Sequence, residues 1–271
     1  MTEQAFRDED FFGTMFEMGW NAEQRGKTML GKTKRRAACA FLAATLLAAP
    51  VPASACALAL VVAMDGSSSV SPEEHTFQLE GLSGALEDAD VREAIQGLGG
   101  IWFSSFEWSG RYQQHVQVDW RFLESDDSIS AAAADLAASD RGFTEFPTAL
   151  GYALGFAAVH MAKVPEPCAR RVVDVAGDGI NNEGFSADKA YRAFAFDGIT
   201  VNGLAIAGAD PDPVAYYRDK VIRGPGAFVE VAKGFGNYRA AMKRKLLREI
   251  RSMNFASADP ASSMGPFHHR R

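Results

Sequence analysis

The sequence predicts an α/β domain: a mostly parallel β-sheet with helices on both faces. Three observations predict it. Short strand-like runs occupy 57–64 (ALALVVAM), 101–107 (IWFSSFE), 171–176 (RVVDVA) and 199–206 (ITVNGLAI). The first of them is continuously apolar, as expected of a strand buried on both faces. Helix-length segments separate the runs, and strands alternating with helices imply parallel pairing through right-handed crossovers.

The elements follow in order. The first strand, 57–64, ends at Asp65-Gly66-Ser67, a turn sequence. Ser71 is placed to cap a helix that Pro72 opens. The second strand is 101–107. Residues 113–120 (QQHVQVDW) alternate polar and apolar, the mark of a half-exposed strand at a sheet edge. Ala-rich helices follow over 126–139 and 147–163. The strand 171–176 runs into Gly177-Asp178-Gly179. A helix over 186–197, the strand 199–206, a helix near 212–222, a last strand at 227–232 and a last helix over 235–251 complete the chain. Neither an internal repeat nor a mid-chain linker interrupts this order, so 56–251 is expected to be one domain. The Ser-, Ala- and Pro-rich tail, 252–271, is expected to be disordered.

The 271 residues are 47% hydrophobic and 23% charged, ordinary values for a soluble globular protein. A net charge of −6 argues against a nucleic-acid partner, which a basic face would announce. Residues 1–55 read as an address. Lys32, Lys34, Arg35 and Arg36 precede the apolar run 37–49, and Ala53-Ser54-Ala55 supplies a small-residue cleavage site. That order is the one found in secretory signal peptides. The apolar run falls short of the roughly 20 residues of a spanning helix, so no transmembrane span is expected in the mature form. The mixed-charge segment 1–28 does not fit a signal peptide, and translation is expected to start at Met29. The expected location is periplasmic or secreted. Cys56 directly follows the cleavage site, which leaves lipid attachment as an alternative, although Ala53 stands where a lipobox carries Leu.

In an open parallel sheet, sites form at the carboxyl ends of strands. Asp65-Gly66-Ser67-Ser68-Ser69 follows the first strand, Asp178 follows the fourth, and Phe146-Pro147-Thr148 opens a helix between them. Two carboxylates and three hydroxyls suit a hard, oxygen-seeking cation such as Mg2+ or Mn2+, or the larger Ca2+. Gly66 lets the backbone bend, and the Asp-x-Ser-x-Ser spacing turns alternate side chains inward. Each motif alone is an ordinary polar turn; their joint placement at two strand ends is the specific signal.

Asp-x-Ser-x-Ser after a buried first strand resembles the metal-ion-dependent adhesion site (MIDAS) of von Willebrand factor A domains. The segments 106–110, 170–174, 202–206 and 224–230 are also similar to a bacterial family of secreted A-like proteins of unknown function. The resemblance covers about 57–250. It implies a six-stranded sheet of order 3-2-1-4-5-6 with edge strand 3 antiparallel. It also implies metal ligands at Asp65, Ser67, Ser69, Thr148 and Asp178. Phe146-Pro147 replaces the Gly that often precedes the family's Thr, which leaves Thr144 as an alternative to Thr148. Gly66, Ser68, Glu107 and Gly179 fall at the rim or directly behind the ligands. The implied function is an exported module in which the cation captures an Asp or Glu of a protein partner. The alternative is a serine- or aspartate-dependent hydrolase or phosphotransferase at the same strand ends. The loop departs from the Gly-x-Ser-x-Gly elbow that a serine hydrolase uses.

In the implied strand order the first and fourth strands are neighbours. Cys56 and Cys168 then lie together at the sheet end opposite the metal, and a disulfide between them is expected. His75, His115 and His160 show no metal-ligand spacing and read as surface or packing residues. Lys243-Arg244-Lys245 reads as a solvated helix face.

Overall fold

The computed structural model describes residues 56–252. The expected leader with its signal peptide and the expected tail lie outside the described residues, Ser252 apart. Six strands form one sheet in the order β3-β2-β1-β4-β5-β6. All neighbours pair in parallel except β2 and β3, which are antiparallel. The predicted order and the antiparallel edge are both present.

The central strand β1 (Cys56–Asp65) is buried along almost its whole length, because β2 (Ile101–Trp108) and β4 (Cys168–Gly177) flank it and helices cover both faces. Leu58, Leu60, Val62 and Met64 point into one apolar core. There they meet α1 (Pro72–Leu86), α3 (Asp126–Ala137) and α7 (Tyr238–Arg251). The intervening residues Ala59, Val61 and Ala63 are equally buried on the other face, where α4 (Leu150–Met161) packs. The edge strand β3 (Gln114–Leu123) fully buries only Val118 and Leu123 and leaves its other residues exposed or partly exposed, as expected at a sheet edge.

The cap expected at Ser71 is present in full: Glu74 N donates to Ser71 Oγ at 3.3 Å, and Ser71 N donates to Glu74 Oε2 at 2.8 Å. This reciprocal pair fixes where the loop after β1 ends and α1 begins. One helix escaped the sequence reading: α2 (Ala89–Gly97), capped by Asp88, buries only Val91 and Ile95. Two apolar residues at i and i+4 among charges carry too weak a period to be read alone. Two other elements are shorter than expected. The segment near 212–222 is a single turn of α6 (Pro213–Tyr216) followed by a π-helical turn, Tyr217–Val221, and β6 is only Val229–Ala232. Before them, α5 (Ala187–Ala193) and β5 (Ile199–Ile206) follow the expected order.

Cys56 pairs in register with Cys168 across β1 and β4, with their Cα atoms 4.5 Å apart, and a disulfide joins them. The closed loop spans a separation of 112 residues. Replacing both cysteines with Ser is expected to cost roughly 3–5 kcal/mol of stability. Denaturant unfolding of the oxidised wild type beside the double variant measures it; equal midpoints would contradict the expectation.

Candidate metal-binding site at the strand ends

Asp65 ends β1 and Asp178 follows β4, so both carboxyls reach the same edge of the sheet. They sense each other directly: the Asp178 charge is among the causes that raise the Asp65 pKa. The loop after β1 is tightly folded. Ser67 N donates to Asp65 Oδ1 at 2.8 Å, Gly66 N to the Trp108 carbonyl at 2.8 Å, and Ser68 N to the Phe146 carbonyl at 2.8 Å. The last bond ties the loop to the segment that carries Thr148.

Four of the five oxygen-bearing side chains form a chain of contacts, and Asp65 joins it through the Ser67 backbone. Ser67 Oγ lies 3.1 Å from Ser69 Oγ, Ser69 Oγ donates to Asp178 Oδ1 at 3.0 Å, and Thr148 Oγ1 donates to Ser67 Oγ at 3.4 Å. The structure thus brings Thr148 to the cluster, while Thr144 is exposed in the preceding loop. Asp65 and Ser67 are wholly buried and Thr148 nearly so; Ser68 and Ser69 are exposed, which opens the cluster to solvent on one side. Gly179 sits at the rim, where an added Cβ would lie 3.4 Å from Thr148 Oγ1.

The electrostatics are those of a cluster short of positive charge. Burial, then the neighbouring Asp178, pushes the Asp65 carboxyl up to about 7. Burial also raises Asp178. Asp65 Oδ2 is buried and has no hydrogen-bond partner. An orphaned buried carboxylate oxygen is costly unless a proton or cation compensates it. Among the described residues, no group of three or more His, Cys, Asp and Glu side chains converges to hold a metal. A cation here would therefore depend on the hydroxyls.

Several supporting residues were not read from sequence. Arg141 Nη2 donates to the Gly66 and Ser67 carbonyls, each at 2.9 Å, and clamps the loop from outside. Gln78 Nε2 donates to the Asp65 carbonyl at 2.8 Å from α1. Asn182 Oδ1 accepts from Thr148 N at 2.8 Å, and Asn181 Oδ1 from Gly151 N at 3.0 Å. These two asparagines lie just beyond Asp178, so one segment supplies a carboxylate and also holds the Thr148 turn. Their adjacency to Gly-Asp-Gly was a readable signal; Arg141 left none.

Of the two places expected for Glu107, rim or behind the ligands, it takes the second and lies beneath the site. It is fully buried, its Oε2 is 2.7 Å from His75 Nε2, and its Oε1 accepts from Phe143 N at 3.4 Å. His75 is therefore a packing residue of the site's floor. His160 is likewise buried, 2.8 Å from Ser104 Oγ and stacked on Trp120. Gly66 lies directly above Glu107, and an added Cβ there would come within 2.6 Å of its carboxyl. Gly66→Ala is expected to cost about 1–3 kcal/mol by overpacking. Unfolding midpoints check it, and an unchanged midpoint would show that Glu107 moves aside freely.

A groove of ≈ 420 Å³ opens beside Ser69 and Asp178, lined also by Glu74, Ile206, Ala207 and Phe235.

The strand order and its antiparallel edge give the chain a von Willebrand factor A-like α/β fold. The chain belongs to the family described as "Protein of unknown function (DUF1194)", which matches residues 55–254. Solved structures of similar fold include a von Willebrand factor type A protein from Catenulispora acidiphila, 14% identical over 72% of this chain and 43% of that one, with a TM-score of 0.53. Proximal thread matrix protein 1 from the mussel byssus is 14% identical over 73% of this chain and 49% of its own, with a TM-score of 0.54. In another structure that mussel protein is described with a zinc-occupied MIDAS motif (15% identity, covering 73% of this chain and 49% of that one, TM-score 0.50). The pilus adhesin SpaC from Lactobacillus rhamnosus GG is 13% identical over 73% of this chain and 31% of its own, with a TM-score of 0.54. The chain thus spans less than half the length of each of these proteins. No curated protein matches the sequence. Among the described residues, no helix is long and apolar enough to cross a membrane.

Proposed function

We propose that the protein is an exported binding module. In this reading Asp65, Ser67, Ser69, Thr148 and Asp178 hold a divalent cation, Mg2+ with Mn2+ or Ca2+ as alternatives, and the cation takes an Asp or Glu side chain of a protein partner. The observation that carries the reading is the buried, unpartnered Asp65 Oδ2 beside a string of hydroxyls ending at Asp178. A cation at this place compensates two carboxylates that the fold otherwise desolvates at a cost. The zinc-occupied motif of the mussel protein lends support from a similar fold.

A bound cation supplies an electrophilic centre that attracts a carboxylate. The protein's own residues do the rest. Asp65 and Asp178 balance the cation's charge, while Ser67, Ser69 and Thr148 add neutral oxygens, so no further negative charge from the protein weakens the metal's attraction for an incoming carboxylate. The exposed side at Ser68 and Ser69 gives the partner its approach, and the groove beside Asp178 receives the flanking chain. Export follows from the reading of 1–55 as a leader that is removed and is supported by the Cys56–Cys168 disulfide, since such bonds persist in oxidising compartments. The binding domain is then 56–251.

Calorimetric titration of Mg2+, Mn2+ and Ca2+ into the purified protein tests the site. Saturable heat is expected for at least one cation and is expected to vanish in Asp65→Ala and Asp178→Ala variants that keep the wild-type circular dichroism. Heat that survives both substitutions, or a wild type that takes up no cation, overturns the reading. Partner capture from a periplasmic extract should disappear with chelator; capture that ignores chelator would sink the carboxylate mechanism while leaving the cation site standing.

A further inference from the structure

A second cluster of buried charges lies away from the strand ends, between the sheet and the last helix. Asp174 of β4 and Asn202 of β5 are side by side in register. Lys245 and Glu249 descend on them from α7, one turn apart. All four are buried almost completely. Lys245 Nζ contacts Asp174 Oδ1 and lies 2.6 Å from Glu249 Oε1. Asn202 Nδ2 donates to that same Oε1 at 2.7 Å, and Asn202 Oδ1 accepts from Phe228 N at 3.0 Å, so the glutamate is held from the strand side. The Phe228 ring centroid stands 5.3 Å from Nζ, and the Arg248 guanidinium covers that ring at 3.8 Å. This overturns the expectation that Lys245 belongs to a solvated face; Lys243 and Arg244 do reach solvent.

Stability alone is a poor reason for such a cluster. Apolar residues of similar volume commonly serve a core as well as or better than a buried ion triad. Two carboxyls facing one ammonium in a dry site also leave one negative charge too many. Burial and the Asp174 charge push Glu249 well above the ordinary carboxylate range, which favours its protonated form.

We infer that Lys245 and Asp174 are a modification site, at which Nζ and Cγ join in an intramolecular amide with Glu249 as the proton-carrying catalytic residue. One proton first passes from the Lys245 ammonium to Asp174 along their contact. This gives a neutral amine and a neutral acid; the neighbouring carboxyls hold the Lys245 ammonium, so this pair is the minor form from which the reaction proceeds. The Nζ lone pair attacks Asp174 Cγ and the Nζ–Cγ bond forms. Glu249 takes a proton from Nζ and returns its own to the departing Asp174 hydroxyl. The Cγ–O bond breaks and one water leaves; nothing is oxidised or reduced, and Glu249 ends as it began. The product ties the last helix to the strand that leads to Asp178.

Peptide mapping of the purified full chain, reduced and denatured, tests this. The expected product is a branched peptide joining the Asp174 and Lys245 segments, lighter than their sum by one water, with no tryptic cleavage after Lys245. Glu249→Gln is expected to yield the two peptides separately at full mass. Separate Asp174 and Lys245 peptides from the wild type overturn the proposal, as does a water loss confined to the Asp174 peptide. The wild-type map decides the question even if the variant fails to fold.

Discussion

Without metal, the protein is expected to lose stability as pH rises from about 3.8 to about 7, through the Asp65 carboxyl. The folded state holds the Asp65 proton up to about 7, whereas the unfolded chain releases it near 3.8. Between those values the folded state binds more protons, so each rise in pH favours unfolding. Below the window the group has no effect; above it the full penalty is present, roughly 4 kcal/mol. Asp178, raised in the same direction, adds to the slope. A saturating cation is expected to reverse the trend, because it stabilises the charged form that the bare site disfavours, and its affinity should rise with pH through the same window. Denaturant unfolding across pH, with chelator and with Mg2+, measures both arms. Asp65→Asn removes the titrating group and should flatten the metal-free slope. Identical slopes with and without every cation tried would remove the link between Asp65 and metal.

The second large effect is expected at Gly151, in the first turn of α4. An added Cβ would stand 1.9 Å from the Phe185 carbonyl oxygen and 2.8 Å from its carbon. That neighbour is backbone, fixed by the loop that follows Asp178, and cannot swing aside as a side chain does. Gly151→Ala is therefore expected to cost about 3 kcal/mol or more. Relief must come from separating α4 from that loop, which stretches the bonds from Gly151 N to Asn181 and from Thr148 N to Asn182. Thr148 then moves away from Ser67, and cation affinity should fall together with stability. Gly97→Ala is the control. Nothing lies within 4 Å of its Cβ, and Ala is the better helix former, so that variant should be neutral or slightly more stable. Equal stability of both variants would show that the close approach at Gly151 relaxes without cost.

Much of this molecule was legible in sequence because its strongest signals are local. The continuous apolar run of β1 needs burial on both faces, and the Ser71–Pro72–Glu74 cap is written in adjacent residues. The alternation in β3 marks an edge in any fold. Asp65 and Asp178 could be placed at one edge because strand ends in a parallel sheet face the same way. What escaped has a common physical cause. Helix α2 buries too little for a visible period. Glu107 stands near a strand end, where rim and floor read alike in sequence, and only the packing of Gly66 and His75 over it separates the two. Arg141 grips two carbonyls of a loop distant from it in sequence. Lys245 sits in a run of basic residues that reads as solvated, and only the counter-charges from β4 and its own helix allow its burial.

The sequence by itself determined the layered α/β plan, the strand order through its resemblance, the cysteine pair and the oxygen-bearing residues at two strand ends. Each of these depends on residue type and spacing along the chain. Tertiary structure alone decided which Thr joins the cluster, what supports it from below and behind, and that a second set of charges is sealed under the last helix. Those outcomes depend on distances between segments far apart in the chain, which packing sets and local pattern does not encode.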